Sequence, residues 1–146
     1  TAAQILQPDI AIQLELILPT DTPDMAASGD VRLGGGTAMS LYSFHGRGTL
    51  NGVIPHPAMV RLFGDAARDA GLPLQRSVHV GALTDLSYVQ LVGEGVASID
   101  LGFPMRYSHS SLESCDLSDL AALVALCVEG IRRIDAEFSL ARDDYP

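Results

Sequence analysis

Residues 9–18 read "DIAIQLELIL", and how this stretch folds decides the rest of the chain. It is a mostly apolar, β-branched run of strand length, the pattern of a strand covered on both faces. Before it, "TAAQILQ" (1–7) reads as the tail of a helix stopped by Pro8. After it, "PTDTPDMAASGD" (19–30) is a loop, and "VRLGGGTAMSLYS" (31–43) is a glycine turn leading into a short strand. "GRGTLNGVIP" (46–55) is another loop. "HPAMVRLFGDAARDAG" (56–71) is a helix, with Pro57 in its first turn and Gly71 just past its end.

The second half repeats the alternation. "LPLQRSVHV" (72–80) reads as a strand, "LSYVQLVGEG" (86–95) as a short helix and "VASIDLGFP" (96–104) as a buried strand. "SCDLSDLAALVALCVEGIRRIDAEF" (114–138) closes the chain as a long amphipathic helix. Its expected buried stripe is Leu120, Val124, Cys127, Ile131, Ile134 and Phe138. Strands alternating with helices imply one α/β layered domain with a partly parallel sheet. Ligands in such folds gather at the carboxyl ends of strands. That rule selects Glu15 and the loop after it, "GALTD" (81–85), and "MRYSHSS" (105–111).

Composition narrows the partners. A net charge of −9 with no lysine repels nucleic-acid phosphates and anionic lipid, so neither is expected as a partner. No apolar run reaches the roughly 18–20 residues that span a bilayer, and no signal peptide is recognisable. The chain starts at Thr1, which suggests a processed product or a start inside a longer protein. Cys115 and Cys127, read as lying on one helix twelve residues apart, are beyond disulfide reach. Two free thiols suit a reducing, cytoplasmic setting.

Among single residues, Glu15 is the most anomalous, because a carboxylate inside an apolar strand loses hydration. Either it lies on a solvated edge or pairs with an arginine, or it binds a divalent metal. His109, just after a strand, is either an exposed loop residue or a ligand. Ser110 and Glu113 match a helix capping box and need no functional role. His79 and Asp85 are spaced for a dyad, but we read His79 as structural or exposed. His45 and His56 carry no supporting pattern. "LGGGT" (33–37) lacks the ending of a phosphate loop and reads as a tight turn needing positive φ. No Gly-x-Ser-x-Gly elbow is present. Residues alone therefore offer Glu15 and His109 as a partial metal site, short of the three protein ligands of a catalytic zinc.

The series "PDIAIQLELILPTDTPD", "LGGGT", "GALTD" and "FPMRYSHSS" resembles the C-terminal half of the catalytic domain of metallopeptidase family 42. These are dinuclear-metal glutamyl and leucyl aminopeptidases, some of which assemble as tetrahedral particles. The resemblance implies a three-layer α/β/α, zinc-peptidase-like fold with a mixed, partly parallel sheet. It places His109 and Glu15 as ligands, one for each of two divalent ions, zinc or cobalt. It also places Thr84, Asp85, Arg106 and Tyr107 in the substrate pocket or behind the ligands. Two departures are local: Ser111 stands where the family has proline, and "LGGGT" replaces a Leu-Gly-x-Gly-Pro type of turn.

By the same resemblance, residues 1–146 are the C-terminal portion of the domain. The other ligands, the general base and an inserted β-rich domain would precede Thr1. The implied function is removal of N-terminal residues from peptides by metal-activated water, in a homo-oligomer when the protein is intact. The isolated chain, lacking the missing N-terminal half, is expected to be inactive. The rival class is a non-catalytic metal-binding or interaction subunit. Glycoside hydrolysis is a third, but it needs two facing carboxylates, and nothing in the sequence pairs Glu15 with another.

Overall fold

The computed structural model describes residues 2–46 and 52–142. Its elements in chain order are α1 (Ala2–Leu6), β1 (Ile10–Ile17), β2 (Thr37–Phe44), β3 (Gly52–Val53), α2 (Pro57–Ala70), β4 (Leu74–Val80), α3 (Leu86–Val89), β5 (Ala97–Arg106), β6 (Ser114–Cys115) and α4 (Leu117–Ile131). Residues 47–51 of the loop expected over 46–55 lie outside the described residues, and its later part holds β3.

The sheet is mixed, as the alternation of elements implied. β1 pairs in parallel with β5 along its whole length, from Ile10 opposite Ala97 to Ile17 opposite Pro104. β5 runs antiparallel to the first half of β2, and β2 is parallel to β4. β3 adds a short antiparallel rung at Ser43 and Phe44, and β6 closes a hairpin on the end of β5. Because strand side chains alternate, β5 sends Ile99 and Leu101 to one face and Asp100 and Gly102 to the other.

The first face is the core. Met39, Ile99 and Leu101 pack there with Met59, Leu62, Phe63, Ala66 and Ala67 of α2 and Leu123 and Leu126 of α4. α2 forms as its sequence dictates: Pro57 leads it, and the His56 Nδ1 accepts from the Ala58 N–H. Gly71 ends it at φ 64°, in the left-handed region. The opposite face carries Ile17, Val31 and Ala38 as a smaller apolar cluster, with the short α3 laid over β5 and β1. The layers are therefore α/β/α, with one thick and one thin helical layer.

Three expectations need correction. β1 is not covered on both faces: it lies at the edge of the described sheet, Ile17 is its one buried residue, and Leu14 is exposed. Cys115 is not in the last helix but in β6, exposed. The last helix starts at Leu117, not 114, and buries Asp119, Ala122, Leu123, Leu126 and Gly130. The expected stripe is partly off that face: Val124 and Ile131 are exposed, whereas Cys127 packs against the core. Ile134 and Phe138 do pack against the core, but from turns after the helix has ended.

Candidate active site at the ends of β1 and β5

Parallel pairing of β1 with β5 brings their carboxyl ends to one edge of the molecule. Glu15 sits opposite Gly102, where any Cβ would run into the Glu15 carbonyl oxygen; only glycine lets the strands close here. One carboxylate oxygen of Glu15 accepts from the Leu16 N–H at 2.9 Å, and the other from Gln13 Nε2 at 3.3 Å. No cation lies on it among the ion pairs of the described residues.

Beyond β5 the chain turns sharply. Tyr107 and His109 both take left-handed backbone, at φ 61° and 63°, a strained choice for residues with a Cβ. The turn is closed by its own polar groups. The Ser110 N–H donates to the Tyr107 carbonyl, and the His109 N–H donates to Glu113 Oε1 at 2.8 Å. Ser108 Oγ lies 2.7 Å from His109 Nδ1, so the exposed ring keeps Nε2 for another partner. The capping box expected of Ser110 and Glu113 is thereby corrected: both brace the hairpin turn, and Asp116 caps α4 by accepting from the Ser118 N–H.

Arg106, the last residue of β5, grips the loop after β1. Its Nε meets Asp21 Oδ1 at 3.0 Å and its Nη2 meets Oδ2 at 2.8 Å, a two-pronged pair. The Leu33 N–H adds a third bond to Asp21. The Arg106 hydrogen bond holds the Asp21 carboxyl below its ordinary range. The segments around Glu15 and His109 are thus tied to each other by a residue pair of which the sequence analysis named only Arg106.

Asp100 was missed altogether. It is 1% exposed, on the same face as Glu15, opposite Gln13 on β1 and Ser40 on β2. Thr84 Oγ1 donates to its Oδ2 at 3.0 Å, while Oδ1 and the facing Ser40 Oγ find no partner. Burial, with a further contribution from the Glu15 charge, raises its carboxyl to about 6. The signal that marked Glu15, a lone carboxylate in an apolar strand, applies equally to Asp100.

The remaining candidates separate into engaged and free. Thr84 is engaged with Asp100, whereas Asp85 and Tyr107 are exposed. His79 is held by Ser77 Oγ at 3.1 Å and does not pair with Asp85 in any described bond; burial lowers its pKa. "LGGGT" is a tight turn, with Gly34 and Gly36 at positive φ. Their N–H groups donate to the two oxygens of the buried Asp119 on α4, at 2.8 and 2.7 Å.

Glu15 and His109 fit a divalent cation in their chemistry, one ionisable carboxylate and one imidazole with a free nitrogen. Among the described residues no three His, Cys, Asp or Glu side chains gather closely enough to hold a metal.

The comparisons with known proteins agree with this architecture. The chain is 35% identical over 121 residues to an Escherichia coli (strain K12) protein named "Putative aminopeptidase SgcX", covering 83% of this chain and 32% of that protein. Among solved structures it superposes on aminopeptidase APDkam598 from the archaeon Desulfurococcus kamchatkensis with a TM-score of 0.85 at 31% identity, covering 94% of this chain and 38% of that one. A TET aminopeptidase from the marine sediment archaeon Thaumarchaeota archaeon SCGC AB-539-E09 gives 0.84 at 26% identity, covering 94% and 37%. The chain thus spans about a third of the length of these relatives. The model of the M42 glutamyl aminopeptidase family matches residues 1–126, and the chain belongs to that family.

Proposed function

We propose that this chain is part of the catalytic domain of a metal-dependent aminopeptidase that removes N-terminal residues from peptides. The observation that carries the reading is the parallel β1–β5 pairing, which sets Glu15 and the His109 turn at one end of the sheet. Glu15 and His109 would each bind one of two divalent cations, zinc or cobalt. Bound there, the cations supply Lewis acidity toward a scissile carbonyl and lower the pKa of water.

The chain's own residues orient and brace. The Leu16 N–H fixes one oxygen of Glu15, and Ser108 occupies Nδ1 of His109, leaving Nε2 as the ligand atom. Arg106, locked to Asp21, holds the His109 turn against the loop after β1. Thr84 and Arg106 act from behind, since their polar groups are already engaged. Asp85 and Tyr107, both exposed, are free to meet a peptide, and Asp85 suits its positively charged N-terminus.

The other ligands and the group that accepts the water's proton would come from the part of the protein outside this chain, together with an inserted β-rich domain. The intact protein would be a cytoplasmic homo-oligomer. The isolated chain, supplied with zinc or cobalt and an aminoacyl chromogenic substrate, is expected to release no product. In the full-length protein, His109→Ala should lower both bound metal and turnover, the latter by more than about 100-fold. Unchanged metal content and turnover in that variant would sink the assignment.

A further inference from the structure

Two carboxylates lie close together on the face of the sheet opposite the main core, with nothing to balance them. Asp100 stands opposite Gln13 and Gly102 opposite Glu15. The Cα atoms of Asp100 and Glu15 are therefore about 8 Å apart, one strand spacing across and two residues along. Asp100 is 1% exposed, closed off by residues of this chain alone. No ion pair among the described residues reaches either group. We propose that the buried negative charge of Asp100 backs the Glu15 cation site, tightening its hold on a divalent metal ion through its field rather than as a ligand. This role rests on the reading of Glu15 as a ligand and adds a residue outside the ligand set.

The fold satisfies its other buried aspartate and not this one. Asp119 has both oxygens filled, by the Gly34 and Gly36 N–H groups. Asp100 receives one bond, from the neutral Thr84 hydroxyl to Oδ2, while Oδ1 and the facing Ser40 Oγ have no partner. A carboxylate held in this way keeps most of its field, because neither bulk water nor a counter-ion takes it up. That field reaches Glu15. The Glu15 charge contributes to the upward push on the Asp100 carboxyl, and such a coupling acts equally in both directions. Two like charges so placed repel, and a divalent cation on Glu15 turns the repulsion into attraction. Cation binding thereby removes an unfavourable interaction that folding alone leaves in place.

Holding the loop before α3 through Thr84 does not explain the residue. An asparagine would present Thr84 with an oxygen acceptor just as well. The hydrogen bond therefore does not call for a charge, and the charge is what makes burial costly here. A charge behind the ligand serves the cation, and a neutral group at the same place does not.

The test uses the full-length protein, stripped of metal and titrated with cobalt(II) at neutral pH. Asp100→Asn keeps the shape and the acceptor for Thr84 but removes the charge. It should raise the Kd for cobalt at least about tenfold, with the far-UV circular dichroism unchanged. Thr84→Val keeps the carboxylate and removes the hydrogen bond, and should weaken cobalt binding less than Asp100→Asn does. An Asp100→Asn protein that binds cobalt as tightly as the wild type overturns the proposal. So does a Thr84→Val protein that loses as much affinity. His109→Ala separates this role from the ligand assignment: if it loses cobalt while Asp100→Asn does not, only the role of Asp100 fails. A wild-type protein that takes up no cobalt refutes the ligand assignment, and the role of Asp100 falls with it.

Discussion

Two buried aspartates show how one residue type serves opposite ends. Asp119, fully buried, has both oxygens filled by the Gly34 and Gly36 N–H groups, so it fastens the glycine turn before β2 to the first turn of α4. Replacing it by alanine leaves the buried Gly36 N–H and the part-buried Gly34 N–H without their acceptor. Asp119→Ala should therefore cost about 3 kcal/mol in urea unfolding, and Asp119→Asn, which keeps one good acceptor, about half as much. Asp100 works against the fold at neutral pH. Its folded carboxyl titrates at about 6, above the roughly 3.9 of an unfolded aspartate. The folded chain therefore holds this proton more tightly than the unfolded one. The resulting stabilisation is present below about pH 4 and is lost as pH rises through 6, on the order of 2–3 kcal/mol. Asp100→Asn keeps an acceptor for Thr84 and places a donor beside the unpartnered Ser40 oxygen. It should be the more stable protein at pH 7.5, and its advantage should vanish near pH 4. A difference in unfolding free energy that is flat across this range would refute the assignment.

Elements hold together here through close approaches that sequence patterns do not reveal. Gly130 lies in the last turn of α4, where alanine normally stabilises a helix by about 1 kcal/mol over glycine. In this fold a Cβ at 130 would collide with the ring of Phe63 on α2, which is fully buried and unable to retreat. Gly130→Ala should therefore reverse the usual sign and destabilise by about 1–3 kcal/mol, measured by thermal or urea unfolding. The same limit explains what was legible. α2 could be read nearly to the residue because Pro57 and Gly71 act locally on the backbone. α4 was placed correctly in kind but rotated, because it is apolar on both sides and periodicity cannot tell which face meets the sheet. The hairpin turn at 107–113 imitated a helix start because Ser110 and Glu113 satisfy N–H groups in either setting. For the candidate site, strand-end logic found Glu15 and His109 one at a time. Asp21 and Asp100, which tie or burden the same end of the sheet, depend on partners 85 and 16 residues away along the chain, a relation no local pattern encodes.

At the scale of the whole molecule, charge is the least balanced term. Eighteen acidic residues face nine basic ones, and of the described ion pairs only Arg106–Asp21 has both partners largely sheltered. The pairs on Arg68 and Arg132 lie in water, where hydration and screening leave such contacts little net attraction. Repulsion among the excess carboxylates therefore outweighs the attraction these pairs supply. Salt screens both, but the repulsion is long-ranged and exposed, and the Debye length falls from roughly 30 Å at 0.01 M to about 8 Å at 0.15 M. Raising sodium chloride across that range at pH 7.5 should therefore raise the melting temperature by a few degrees. Near pH 4.6, the isoelectric point of the sequence, protonated histidines and partly protonated carboxylates leave little net charge, and the increase should largely disappear. A melting temperature that falls with salt at pH 7.5 would mean that the ion pairs, and not the net charge, dominate the electrostatics of this fold.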